Sequence, residues 1–79
     1  MQPFDKKIIE LIDILKKTGK IKQKQEFNDT IGIQKQRVYN IQNKPDLHFT
    51  SLDIEKIIKT YKVNANWIFG IESEVFIKK

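Results

Sequence analysis

Phe4, Ile8, Ile9, Leu11, Ile12 and Leu15 recur at helical spacing, and charged side chains fill most of the gaps between them. That pattern lays one apolar stripe along a helix predicted from about Pro3 to Lys17. Proline suits a first helical turn, where its missing N–H costs nothing. Lys16 and Lys17 complement the negative end of the helix dipole, and Gly19 fits a left-handed C-terminal cap.

The pattern then thins. Between about Gln23 and Ile31 the apolar positions are Phe27 and Ile31, four apart, with Ile21 just before as a packing staple. Gly32 breaks this second helix and permits the positive φ that a tight turn needs. A third helix is predicted from near Gln34 to near Asn43. Val38 and Ile41 face inward, three apart, and Ile33 packs in the turn. Gln36, Tyr39, Asn40 and Asn43 fall on the opposite side, flanked by Lys35 and Arg37. So narrow a stripe predicts a helix lying on the surface with a long polar face.

Pro45 marks a loop from Lys44 to Phe49. Thr50 with Asp53 three residues on is a capping-box variant that starts a fourth helix. Leu52, Ile54, Ile57, Ile58 and Tyr61 are its expected buried face. A short fifth helix is predicted between an N-cap at Asn64 and a stop at Gly70, with Ala65, Trp67, Ile68 and Phe69 closing the core. For the tail, Ile71 to Lys79, a short strand, more helix or a frayed end are all open. The expectation is one all-α domain over residues 1–79, built of five short helices around one core.

Composition narrows the class. At 39% hydrophobic and 32% charged, the 79-residue chain has the profile of a globular domain, not of a disordered one. It has no cysteine, so packing alone must hold it, without disulfides or a thiolate zinc site. No apolar run approaches membrane-spanning length and no secretory signal is visible, which predicts a cytoplasmic protein with no membrane partner.

Charge changes the picture more. The net charge is +5, and its distribution is uneven. Residues 1–15 balance at −1 and residues 45–79 at 0, whereas residues 16–44 hold seven lysines and Arg37 against Glu26 and Asp29, a balance of +6. The whole excess sits on and just before the two helices that flank Gly32. Clustered positive charge of this kind is the footprint of a polyanionic partner. A solvated lysine-rich surface is the bland alternative.

Phe27, Gly32, Val38 and Ile41 stand at the spacing of an apolar residue, a turn glycine five positions later and an apolar pair three apart. NANWIFGIES downstream resembles the Asn-x-x-Trp-Leu-x-x-Gly ending of short repressors and phage-type regulators. Together these resemble the lambda-repressor-like (Cro/C1-type, XRE) helix-turn-helix family, over nearly the whole chain to about Phe76. Two positions depart from the family pattern. Asn28 stands where a small residue is usual at the close crossing of the two motif helices, and Gln34 replaces the usual Ser or Thr cap.

The resemblance implies a sequence-specific transcriptional regulator of double-stranded DNA: a phage or mobile-element type repressor or its N-terminal domain, or a restriction–modification controller. Lys35, Gln36, Tyr39 and Asn40 would reach base edges in the major groove. The two amides suit adenine and the lysine suits guanine, while for Tyr39 packing against a neighbouring helix weighs equally. Lys24, Gln34, Arg37, Asn43, Lys44 and His48 would frame the groove on phosphates, His48 having a plain exposed loop position as its alternative. So small a module implies a homodimer on an inverted-repeat operator. Trp67, Ile68, Val75, Phe76 and Ile77, the apolar residues of the fifth helix and the tail, are the expected dimer contact.

Catalysis finds little to work with: one histidine, no cysteine, no glycine-rich phosphate loop and no carboxylate pair beside a nucleophile. No cofactor or metal site is expected. The rival reading from another class is a protein-interaction module of the same fold, an antitoxin or antirepressor-like partner, in which the third helix faces protein.

Overall fold

A computed structural model describes residues 1–77, and Lys78 and Lys79, the end of the tail considered for dimer contact, lie outside the described residues. Five helices follow in order: α1 (Pro3–Lys17), α2 (Lys24–Ile31), α3 (Lys35–Asn43), α4 (Ser51–Tyr61) and α5 (Ala65–Ile68). The chain is all-helical with no named strand among the described residues. Its radius of gyration, 11.8 Å, is that of a close-packed chain of this length.

Local chemistry sets the boundaries. The Thr50 hydroxyl accepts from the Asp53 N–H at 3.1 Å, and the Asp53 carboxylate accepts from the Thr50 N–H at 2.9 Å, the reciprocal box that opens α4. The Asn64 side chain accepts from the Asn66 N–H at 3.0 Å and caps α5. After α1, Gly19 takes φ +78° and the Lys20 N–H reaches back to the Leu15 carbonyl at 2.9 Å. Lys62 ends α4 in the left-handed region at φ 56°, a position no glycine marks.

The core runs through every helix. Ile8, Leu11, Ile12 and Leu15 of α1, Phe27 and Ile31 of α2, Ile41 of α3, Ile57 of α4, and Trp67 and Ile68 of α5 are buried, with Ile21, Ile33, Phe49 and Val63 closing the gaps. Phe27 stacks on Tyr61 of α4, ring centroids 5.8 Å apart and nearly parallel. Two expected core residues lie outside. Leu52 and Phe69 are 59% and 55% exposed. Leu52 sits off the α4 stripe, and Phe69 follows the last turn of α5 just before the chain reverses at Gly70.

Among the described residues the tail is neither more helix nor a named strand, and one bridge ties it to the body. Val63 and Phe76 form an isolated antiparallel bridge, the Asn64 N–H donates to the Val75 carbonyl at 2.8 Å, and the Ile77 N–H to the Lys62 carbonyl at 2.8 Å. Val75 and Phe76 are half-buried against the core, and the Lys20 ammonium lies 4.7 Å from the Phe76 ring centre.

Candidate nucleic-acid interface

The α2–turn–α3 unit is built around Gly32, at φ +79°. Its N–H and that of Ile33 both donate to the Asn28 carbonyl at 2.9 Å. This closes the last turn of α2 and swings the chain into α3. A Cβ on Gly32 would meet nothing nearer than the Lys56 ammonium at 3.9 Å, so backbone conformation, not crowding, calls for glycine here.

Gln34 is the N-cap of α3, but its side chain makes no capping bond and stays exposed. Its carbonyl accepts from the N–H groups of Arg37 and Val38 at 3.0 and 3.2 Å. Ile41 alone in α3 is fully buried, and Val38 is half-buried beside it. On the other side Lys35, Gln36, Tyr39 and Asn43 are exposed and Asn40 is half-exposed. At about 100° per residue these five share an arc of roughly 140° pointing away from the core. No acidic residue lies in α3.

Two internal bonds order this face. The Gln36 amide donates to the Asn40 amide oxygen at 3.2 Å, and the Asn43 amide donates to the Tyr39 carbonyl at 2.8 Å. The first leaves the Gln36 oxygen and the Asn40 amino group with no hydrogen bond among the described residues. That is the acceptor-and-donor set an adenine edge asks for. Lys24, at the first turn of α2, pairs with Asp13 at 3.3 Å. Both ends of that pair are well exposed, so it is weak and exchangeable. Lys44 is exposed at the end of α3.

Two residues assigned to phosphate from the sequence are bonded to carboxylates of the protein itself. The Arg37 guanidinium forks onto Asp53 of α4 at 2.7 and 3.3 Å. Asp53 is 8% exposed; burial disfavours its charge, but the bonds from Arg37 and Thr50 and the Arg37 charge outweigh that and hold its carboxyl below the usual range. His48 is not a plain exposed loop residue. Its Nδ1 lies 2.8 Å from the carboxylate of Asp5, which is fully buried and also accepts from the Phe49 N–H at 3.0 Å and the Gln2 N–H at 3.3 Å. Sequence reasoning missed this lock between α1 and the loop before α4. An aspartate in a first helical turn reads as a dipole complement, and nothing local names a partner so far along the chain.

The apolar set expected to meet a second copy is also redistributed. Trp67 and Ile68 are buried in the core and offer no surface. Val75 and Phe76 are half-covered by the chain's own body, leaving Ile77 exposed. Besides Ile77, the outward apolar side chains of this part of the chain are Phe69, whose ring lies 6.0 Å from that of half-buried Phe4, and Ile71.

Among the described residues, no helix is long and apolar enough to cross a membrane, and no three His, Cys, Asp or Glu side chains group to hold a metal ion. Neither family models, nor curated proteins, nor solved structures give a match to this chain.

Proposed function

We propose that the protein is a sequence-specific, double-stranded DNA-binding transcriptional regulator of the repressor type, with α2 and α3 acting as a helix-turn-helix and α3 lying in the major groove. The observation that carries this is the outward face of α3: Lys35, Gln36, Tyr39 and Asn40 on a helix held from behind by Val38 and Ile41. Lys24, Gln34, Asn43 and Lys44 border that face and supply phosphate contacts; Arg37 and His48 take no part. No acid on α3 opposes the duplex charge. Two copies, joined through Phe69 and Ile71 beside Phe4 in place of Trp67 and Ile68, place two such faces on an inverted repeat with half-sites about 34–36 Å apart.

Selection of bound duplexes from a random library tests the reading. An enriched inverted repeat of that spacing is expected. Recovery of no preferred sequence, or of binding indifferent to salt, overturns it.

A further inference from the structure

Beside the proposed reading face, α1 and the α2–α3 unit leave an open cleft of about 370 Å³. Its size falls within the range of about 300–1,000 Å³ typical of small-molecule sites. Three facts describe it. Its apolar lining comes from Ile9 and Ile12 of α1 and Val38 of α3, and Ile9 and Val38 keep part of their surface uncovered by the protein. Asn28 lines it on α2, 7% exposed, and is the one polar residue of α2 that is buried. Besides Tyr39, its remaining lining holds lysines and amides and no carboxylate: Lys24 and Lys35 with Gln25 and Gln42. Lys35 has no ion pair among the described residues.

We propose that this cleft is an effector site for a small carboxylate with an apolar, ring-sized body. The body would cover the Ile9, Ile12 and Val38 surface, and the carboxylate would take the Lys35 ammonium. The chemistry selects against two alternatives. A cation would face the Lys35 ammonium, which no carboxylate answers, and a neutral hydrocarbon would leave that charge unused; Lys24 is held by Asp13 and the Gln25 amide by Asp29. Tyr39 also lines the cleft. Occupancy therefore engages Lys24, Lys35 and Tyr39, residues assigned above to DNA, and wedges α1 against α3. The regulatory half of the proposal rests on the DNA-binding reading: ligand and duplex compete.

Naphthalene-2-carboxylate is a suitable probe and naphthalene-2-carboxamide its uncharged control, both followed by 1H–15N correlation spectra of the 79-residue chain without DNA. The carboxylate should give saturable shifts centred on Ile9, Asn28, Val38 and Gln42. The carboxamide should bind about tenfold more weakly. Lys35→Gln should bring the carboxylate down to the carboxamide's affinity. Val38→Phe should fill the cleft and abolish binding, with Ile9→Phe as the second filling variant, each accepted only with a dispersed, native-like spectrum. Absence of saturable shifts, shifts spread along Lys16–Lys22, or equal binding of both probes would overturn the site. Saturable carboxylate binding in a protein that selects no duplex keeps the site and removes the DNA reading. Duplex binding by a protein whose cleft ignores the carboxylate does the reverse. Independent binding of both refutes the competition.

Discussion

The Arg37–Asp53 fork can be separated from the proposed DNA interface by a measurement whose size follows from the structure. The Arg37 side chain is 39% exposed and the Asp53 side chain 11%, so the pair is neither a surface ion pair nor a buried one. Exposed pairs contribute about 0–1 kcal/mol, and breaking a fully buried pair costs about 3–5 kcal/mol. Water reaches the guanidinium end, which screens the charge, and Asp53 keeps its bonds to Thr50 when Arg37 is removed. A coupling of about 1.5 kcal/mol is therefore expected, between the two limits. A double-mutant cycle of Arg37→Ala and Asp53→Ala, read by urea denaturation, isolates it. The lost helix cap appears in both Asp53 legs and cancels, as does the lost packing of the arginine stem. For a domain of this size that coupling corresponds to about 6–12 °C in Tm.

The coupling should also depend on pH with a definite sign. The Asp53 carboxyl is held below its ordinary value of 3.8, so its contribution is complete above that value. It is lost as pH falls through the depressed folded-state value. Flat coupling from about pH 5 to 8 with a fall in more acid solution is the expected profile. In DNA binding, Arg37→Gln should leave the salt slope unchanged, whereas loss of a phosphate contact would reduce it by about 1. Additivity of the two substitutions within about 0.3 kcal/mol, or a reduced salt slope, would refute the assignment of Arg37 to α4.

Other outcomes follow from the same geometry. Gln36→Ala should cost about 1–3 kcal/mol on the selected operator and little on random duplex; equal losses on both would remove Gln36 from base reading. Raising salt from about 50 to 200 mM should weaken binding roughly a thousandfold if about six phosphates are engaged, and a filter-binding or anisotropy titration would give the slope. Asp5→Ala strands the Phe49 N–H in a buried place and should cost about 2–4 kcal/mol in chemical denaturation. Gly32→Ala should cost about 1–2 kcal/mol in the same assay from backbone conformation alone, since space for the methyl exists.

What was legible in the sequence was the information that short stretches of chain carry. Thr50 and Asp53, Asn64, Gly19 and Gly32 each act within one turn of where they stand, and the helices begin and end at those residues or beside them. Leu52 belongs to the same class of information. At about 100° per residue it stands nearly opposite the arc of Ile54, Ile57, Ile58 and Tyr61, so helical arithmetic applied residue by residue places it outside, where it lies. Phe69 escapes such arithmetic because α5 is a four-residue helix that ends before it. The candidate site divides along the same line. That Lys35, Gln36 and Tyr39 face outward follows from their spacing against Val38 and Ile41. Which charges are free does not, because an ion pair draws its partner from anywhere in the fold. Arg37 and Lys24 count equally in a segment's charge, yet Arg37 is answered by a carboxylate 16 residues on and Lys24 by Asp13 of α1. The +6 of residues 16–44 therefore overstates the field that α2 and α3 present. Lys16, Lys17, Lys20 and Lys22 precede α2, and the cations that α3 itself presents are Lys35 and Lys44 at its two ends, with Lys24 of α2 available by exchange. In the proposed regulator, charge at both ends of a helix whose middle is amide and phenol would fix position through phosphate and leave the choice of sequence to Gln36, Tyr39 and Asn40.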